Sequence, residues 1–158
     1  MKNKSIKIAK ISDIKFLFFL YNKGVSDGNF KRKKKVKYSD HKSWFSQSLK
    51  LNNIKTFILH YNKFKVGYVR VNFFKKKSVY ISIILKKKIR KYGFGSYYLN
   101  KVIKIIKKFN VNRAYAEVLK NNFSSKLFFT NNGFRKIKYR NEFKFFFNKN
   151  NCIYFKKI

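Results

Sequence analysis

Apolar and polar residues alternate from Ser5 to Lys10, the two-residue period of a strand with one buried face. Ser12 follows as a candidate N-cap with Asp13 in the first turn, and the apolar stretch to Tyr21 suits a helix. A second helix is predicted behind a cap at Ser39 or Asp40, with His41, Trp44, Phe45, Ser48 and Leu49 at helical spacing. Thr56 to His60 and Val66 to Phe73 are rich in β-formers and flank a turn at Tyr61-Asn62-Lys63, which predicts a hairpin. Ser78 to Leu85 alternates again and places Val79, Ile81, Ile83 and Leu85 on one face.

A basic, glycine-containing loop runs from Lys86 to Gly95. Beyond it, Tyr98, Val102, Ile105 and Phe109 recur at intervals of four, three and four with Lys101, Lys104 and Lys108 between them, the pattern of an amphipathic helix. Arg113 to Leu119 reads as a strand, and Ser124 to Asn131 as a short helix ended by Gly133. Phe134 to Tyr139 and Cys152 to Lys157 close the chain as strands, with Phe143 to Phe147 a less regular candidate between them. The order is strand, two helices, three strands, helix, strand, helix, strands: one α/β domain, residues 1–158, on a mixed sheet.

Composition changes this picture little. The 158 residues suffice for one core, and 20% aromatics, 20 of them Phe, exclude a disordered chain. The net charge is +36, from 41 Lys and Arg against 5 Asp and Glu. Such a charge points to nucleic acid or a membrane surface, and predicts non-specific polyanion binding at low salt. Yet the lysines are spread over the whole chain and accompany abundant Asn, Ile, Phe and Tyr, residues with A/T-rich codons, so genome bias is the competing explanation. Lys31 to Lys35 reads as an exposed basic loop. The lone cysteine, Cys152, excludes an internal disulfide and a Cys-based zinc cluster, and no metal is expected. The start is too broken by lysine for a signal peptide, and the apolar run from Phe16 to Tyr21 is too short to span a bilayer, so a cytoplasmic protein is expected.

The stretch Ile89-Arg90-Lys91-Tyr92-Gly93-Phe94-Gly95-Ser96 carries the clearest chemistry. It lies between a strand and a helix, where unpaired backbone N–H groups and the helix dipole attract anions. Gly93 and Gly95 allow close backbone approach to a phosphate, and Arg90 and Lys91 add charge. The pattern R-x-x-G-x-G is neither a Walker loop nor a dinucleotide fingerprint. On its own it is equally a basic turn without a ligand.

In this position R-x-x-G-x-G resembles the coenzyme-A pyrophosphate loop of the GNAT acetyltransferase superfamily. A later stretch, Ala116 to Ser125 continuing to Phe128-Phe129 and Gly133-Phe134, is similar to that family's second signature, and together the resemblance covers roughly residues 5 to 140. It implies a mixed, mostly antiparallel, splayed sheet flanked by about four helices, with acetyl-CoA in the splay between Ile81 to Leu85 and Arg113 to Leu119. Backbone groups of Ile83, Ile84 and Leu85 would pair with the pantetheine arm. Arg90, Lys91, Tyr92, Gly93, Phe94, Gly95 and Ser96 would hold the pyrophosphate, and Asn122 would position the cofactor or the adjoining helix. Phe129 stands where many members carry a tyrosine acid; it cannot donate a proton, and packing against the cofactor is its expected role. Tyr115 and Tyr139 are candidate substitutes.

Acetyl transfer to an amine needs a base, a polarised carbonyl and a stabilised thiolate. Asp13, Asp27, Asp40, Glu117 and Glu142 are the only acids in the chain. Glu117 matches the position of a general base in some members of the family; the competing reading is a paired structural carboxylate. In the second helix, Ser39 to Phe45 with its H-x-x-W-F pattern resembles bacterial members that acetylate nucleotide-linked amino sugars. That implies His41 and Trp44 near the acceptor, Trp44 stacking on a sugar or base; as plain sequence the same residues form a core stripe. Three alternatives stay open: a protein N-acetyltransferase acting on a ribosomal N-terminus or a lysine, a CoA-binding fold without catalysis, and a nucleic-acid module using the face of Tyr68 to Phe73.

Overall fold

Antiparallel pairing carries the sheet from its first strand to its fourth, one parallel step crosses to the fifth, and two further antiparallel steps close it. The computed structural model describes residues 3–30 and 33–158, Glu142 by its backbone alone. Among them the elements are β1 (Lys4–Ile8), α1 (Ile14–Ser26), α2 (Tyr38–Lys50), β2 (Ile54–Tyr61), β3 (Phe64–Lys75), β4 (Ser78–Leu85), α3 (Phe94–Lys107), β5 (Arg113–Val118), α4 (Phe123–Asn131), β6 (Arg135–Ile137) and β7 (Cys152–Lys157). The strand order is β1-β2-β3-β4-β5-β7-β6. This is the mixed, mostly antiparallel α/β domain with four helices that the sequence predicts.

Strand alternation sorts the side chains into two layers. Phe57, Leu59, Val69, Val71, Val79, Ile81, Ala114 and Ala116 face α3 and α4 and meet Tyr98, Leu99, Val102, Ile106 and Phe129. Ile58, Tyr68 and Ile84 face the other way, under Leu17, Leu20 and Phe45 of α1 and α2. On that same side of β5, Tyr115 lies against a plug formed by Phe143 and Phe147. This side of the sheet is therefore covered by helices at one end and by the plug at the other.

Several boundaries differ from the sequence reading. Ser12 does not cap α1. Asp13 stands at the N-cap position but its side chain bonds no α1 amide: its Oδ2 accepts the Lys10 N–H at 2.7 Å across the 3-10 turn Ile11–Asp13, and its Oδ1 pairs with Lys65 at 2.6 Å. The helix runs past Tyr21 to Ser26 because Gly24 and Val25 still have a core to meet. Helix α2 begins at Tyr38 behind Lys37 without a side-chain cap, so Ser39 and Asp40 lie in its first turn. Its buried face is His41, Phe45 and Ser48; Trp44 and Leu49 flank it, 38% and 41% exposed. Helix α3 buries two columns, and Phe109 lies beyond its end, half exposed against Phe73. Strand β6 keeps three residues, and Phe143 to Phe147 form no strand but the aromatic plug after a 3-10 turn at Asn141–Phe143. In the basic run, Lys31 and Arg32 lie outside the described residues, and 33–37 form neither helix nor strand. No helix among the described residues is long and apolar enough to cross a membrane.

Candidate active site

Strands β4 and β5 pair over three residues only, Ser78 to Tyr80 with Arg113 to Tyr115, and then part. β4 continues to Leu85 against β3 and β5 to Val118 against β7, so a wedge opens between them. The Lys86 N–H reaches back to the Val66 carbonyl at 2.8 Å. The alternation of an antiparallel ladder then turns the backbone groups of Ile81, Ile83 and Leu85 towards the wedge and those of Ile84 towards β3. Ile84 also sends its side chain into the α1/α2 core, so of the three expected pantetheine partners it is the one turned away. The Leu85 carbonyl accepts Arg90 Nε at 2.9 Å.

The wide end of the wedge meets the basic loop. Lys86, Lys87, Lys88, Arg90 and Lys91 are its cations and it holds no acid. After a 3-10 turn at Lys87–Ile89, Lys91 and Gly93 take left-handed backbone, φ 69° and 73°. Gly93 caps α3 and its carbonyl accepts the Tyr97 N–H at 3.1 Å, so the N–H groups of Phe94, Gly95 and Ser96 have no intrahelical acceptor. Ser96 Oγ accepts Asn132 Nδ2 at 3.0 Å. Tyr92 is 74% exposed. Gly95 is glycine for a packing reason the sequence hides: a Cβ there would stand 2.8 Å from Phe128 Cε2. Arg90 turns inward to the strand end, so the loop's outward charge comes from its lysines and its backbone.

Asn122 caps α4, its Oδ1 accepting the Ser125 N–H at 3.0 Å. Phe129 is 5% exposed and packs on Phe128, Phe134 and Tyr154, so its ring fills the core below the wedge instead of lining it. Of the substitutes, Tyr115 sits within the plug and Tyr139 near its edge.

Glu117 lies on β5 beside the open wedge, facing the α1/α2 side. Its Oε1 accepts the Asn148 N–H at 2.9 Å and Asn151 Nδ2 at 2.7 Å; Oε2 accepts nothing among the described residues. A carboxylate held at one oxygen and open at the other is oriented without being spent. Tyr80 stands at the apex of the wedge on the same face. Burial foremost and the Glu117 charge next push its phenol far above the ordinary range, so it keeps its proton. The other described acids are engaged elsewhere: Asp13 with Lys65, Asp27 with Lys23, Asp40 with Ser39.

His41 is buried, and Trp44 is partly exposed beneath Arg70. His41 is 6% exposed among Phe18, Tyr21, Trp44 and Phe45, and burial, then Arg70, lower its pKa. Trp44 carries the Arg70 guanidinium over its ring at 4.1 Å. Arg70, Tyr80, Asn132, Asn148 and Asn151 escaped the sequence reading. Arg70 had a signal, since it alternates with Val69 and Val71 and must face opposite to them. The face of Tyr68 to Phe73 is no open nucleic-acid platform, because Tyr68, Val69 and Val71 are buried on both sides of the sheet. Cys152 is buried, and the described residues contain no cluster of three metal-binding side chains.

A family model for the acetyltransferase (GNAT) family matches residues 25–134. Among solved structures, a domain from Methanocaldococcus jannaschii DSM 2661 superposes with a TM-score of 0.84 at 22% identity, over 100% of both chains. An N-acetyltransferase from Staphylococcus aureus Mu50 gives 0.79 at 18%, over 98% of each. An acetyltransferase-like protein of Salmonella typhimurium, solved with its cofactor acetyl-CoA, gives 0.76 at 15%, over 98% of this chain and 94% of its own. Other structures of the fold bear the names of a spermidine N-acetyltransferase from Vibrio cholerae and a ribosomal L7/L12 N-acetyltransferase. No curated protein sequence matches the chain.

Proposed function

The chain belongs to the acetyltransferase (GNAT) family, acetyl-CoA-dependent N-acetyltransferases, and from that premise we propose a direct transfer in which Glu117 takes the proton of the acceptor amine. The single observation that carries this is the carboxylate fixed by Asn148 and Asn151 at one oxygen and open at the other, beside the parting of β4 and β5. In this reading the whole chain is one acetyltransferase domain. The pantetheine arm lies along the groups of Ile83 and Leu85 and the pyrophosphate against the N–H groups of Phe94 to Ser96, with Lys91 beside it. The thioester then comes to rest near the apex, next to Glu117 and Tyr80.

The neutral amine attacks the thioester carbonyl carbon, the C–S bond breaks, and the amide forms as CoA leaves as thiolate. Glu117 accepts the amine proton through Oε2, directly or through one water. Tyr80 supplies a hydrogen bond to developing negative charge but does not surrender its proton, because its pKa lies far above that of a thiol. Phe129 has no part in the proton inventory. Nothing in this chemistry calls for a metal or a membrane, and we place it in the cytoplasm.

A nucleotide-linked amino sugar is the acceptor we carry forward, now on the strength of Arg70 with Trp44 and not of His41. A peptide N-terminus is the second reading, supported by the name of a solved neighbour. Glu117→Gln keeps the shape and removes the base. We expect kcat for CoA release to fall by about 10² or more while the acetyl-CoA KM holds. A kcat within about threefold of wild type would remove Glu117 from the mechanism.

A further inference from the structure

We propose that Arg70 is the anchor for an anionic group carried by the acceptor, so that the enzyme acts on amines bearing a carboxylate or phosphate and rejects polyamines. This rests on the transferase reading above and names its substrate class. Strand register sets the geometry. Thr56 on β2 and Ser82 on β4 flank Arg70 across β3. Tyr80 pairs with Tyr115, so two residues further along each strand Ser82 and Glu117 face each other over the wedge. Thr56, Arg70, Ser82 and Glu117 therefore form one row on the acceptor-facing side. With strands about 4.8 Å apart, Arg70 and Glu117 start about 10 Å apart at the backbone, two strand spacings, plus whatever the splay adds. Their long side chains can serve two ends of one small molecule.

The guanidinium rests on aromatic rings and, among the described residues, has no carboxylate partner. Its plane lies over Trp44 at 4.1 Å, with Tyr68 at 5.8 Å. Its Nε is buried without a hydrogen-bond partner, as are Thr56 Oγ1 next to it and His41 Nδ1. Thr56 and His41 are 5% and 6% exposed. The ion pairs among the described residues join Lys23 to Asp27 and Lys65 to Asp13, and none reaches Arg70. A partly buried charge beside unpartnered buried polar atoms is costly unless a counter-charge comes to its open side. An oxyanion satisfies the guanidinium in a bidentate grip. A polyamine meets the reverse arrangement: a fixed cation, with Glu117 as the one carboxylate in the row.

Trp44 is the only tryptophan in the chain, so its fluorescence reports on Arg70 locally whatever the +36 surface binds. Protein saturated with CoA, to occupy the basic loop, is titrated with inorganic phosphate and separately with acetate at constant ionic strength. A saturable change in Trp44 emission is expected, its midpoint weakened about tenfold or more in Arg70→Gln and unmoved in Lys104→Gln. The stronger of the two anions tells phosphate-bearing from carboxylate-bearing acceptors. No saturable change in the wild type, or the same change in Arg70→Gln, overturns the proposal. In parallel, acetyl transfer is compared between glucosamine 6-phosphate and glucosamine, between glutamate and its diamide, and with spermidine. The anionic member of each pair is expected to lead in kcat/KM by about tenfold, and to lose that lead in Arg70→Gln. Spermidine as the best substrate overturns the proposal; if no acceptor turns over, the fluorescence titration decides alone. Loss of CoA binding itself would strike the transferase reading and leave the anion response to be judged separately.

Discussion

His41 sits close enough to Arg70 for the guanidinium to act on the charge of the imidazole. The imidazole is buried in an aromatic nest, and burial first and the guanidinium second hold its pKa below the ordinary value; His60 is lowered by burial and by Lys7. Both are harder to protonate in the folded chain than in the unfolded one. Their folded pKa lies below the unfolded value of about 6.5, so their contribution to stability is complete above about pH 6.5 and is lost as pH falls through the folded pKa. The melting temperature should begin to decline below about pH 6.5, ahead of the carboxylate range, and His41→Phe should flatten part of that decline. A plateau reaching down to about pH 4.5 would contradict this. At this scale Glu117 stood out as a candidate because only 5 acids compete for the role, whereas Arg70 was hidden among 41 basic residues. The burial of His41 and the stacking of Trp44 under Arg70 were not legible, because a helical stripe does not say which edge meets the core and which meets a cation on the neighbouring sheet.

Among the elements, the contact that matters most to the site is between the first turn of α3 and α4. Gly95 lets Phe128 and Leu85 close on the loop's end, while Asn132 at the far end of α4 ties back to Ser96. Gly95→Ala puts a methyl 2.8 Å from the Phe128 ring and should cost about 1–3 kcal/mol. Denaturant unfolding of Gly95→Ala with and without Phe128→Leu checks this; the double variant should recover part of the loss. Equal losses in both would mean that Gly95 answers to the backbone and not to the ring. The elements themselves were readable where periodicity was strong: β4 and β7 lie where alternation puts them. The plug was not, because Phe143 to Phe147 owes its shape to Tyr115, Tyr80 and Phe74, residues distant in sequence.

For the whole molecule, the wedge between β4 and β5 opens toward a basic loop whose outward charge is lysine. The order of elements and the R-x-x-G-x-G motif point to that region, but its opening depends on β4 and β5 parting after three paired residues while β4 stays on β3 and β5 on β7, which no local pattern encodes. The +36 charge complicates any binding measurement, because it attracts anions over the whole surface. Calorimetric titration of acetyl-CoA at moderate salt, on wild type and on Gly93→Trp, separates that region from the surface at large. Position 93 has open space around a Cβ, so the indole meets no neighbour there, although its left-handed φ of 73° strains any side chain and should lower the melting temperature somewhat. Saturable micromolar binding in the wild type, weakened about tenfold or more in a variant that still unfolds cooperatively well above the titration temperature, is the expected result. Weak binding that is equal in the two proteins and fades in step with added salt would contradict the account and leave only bulk charge.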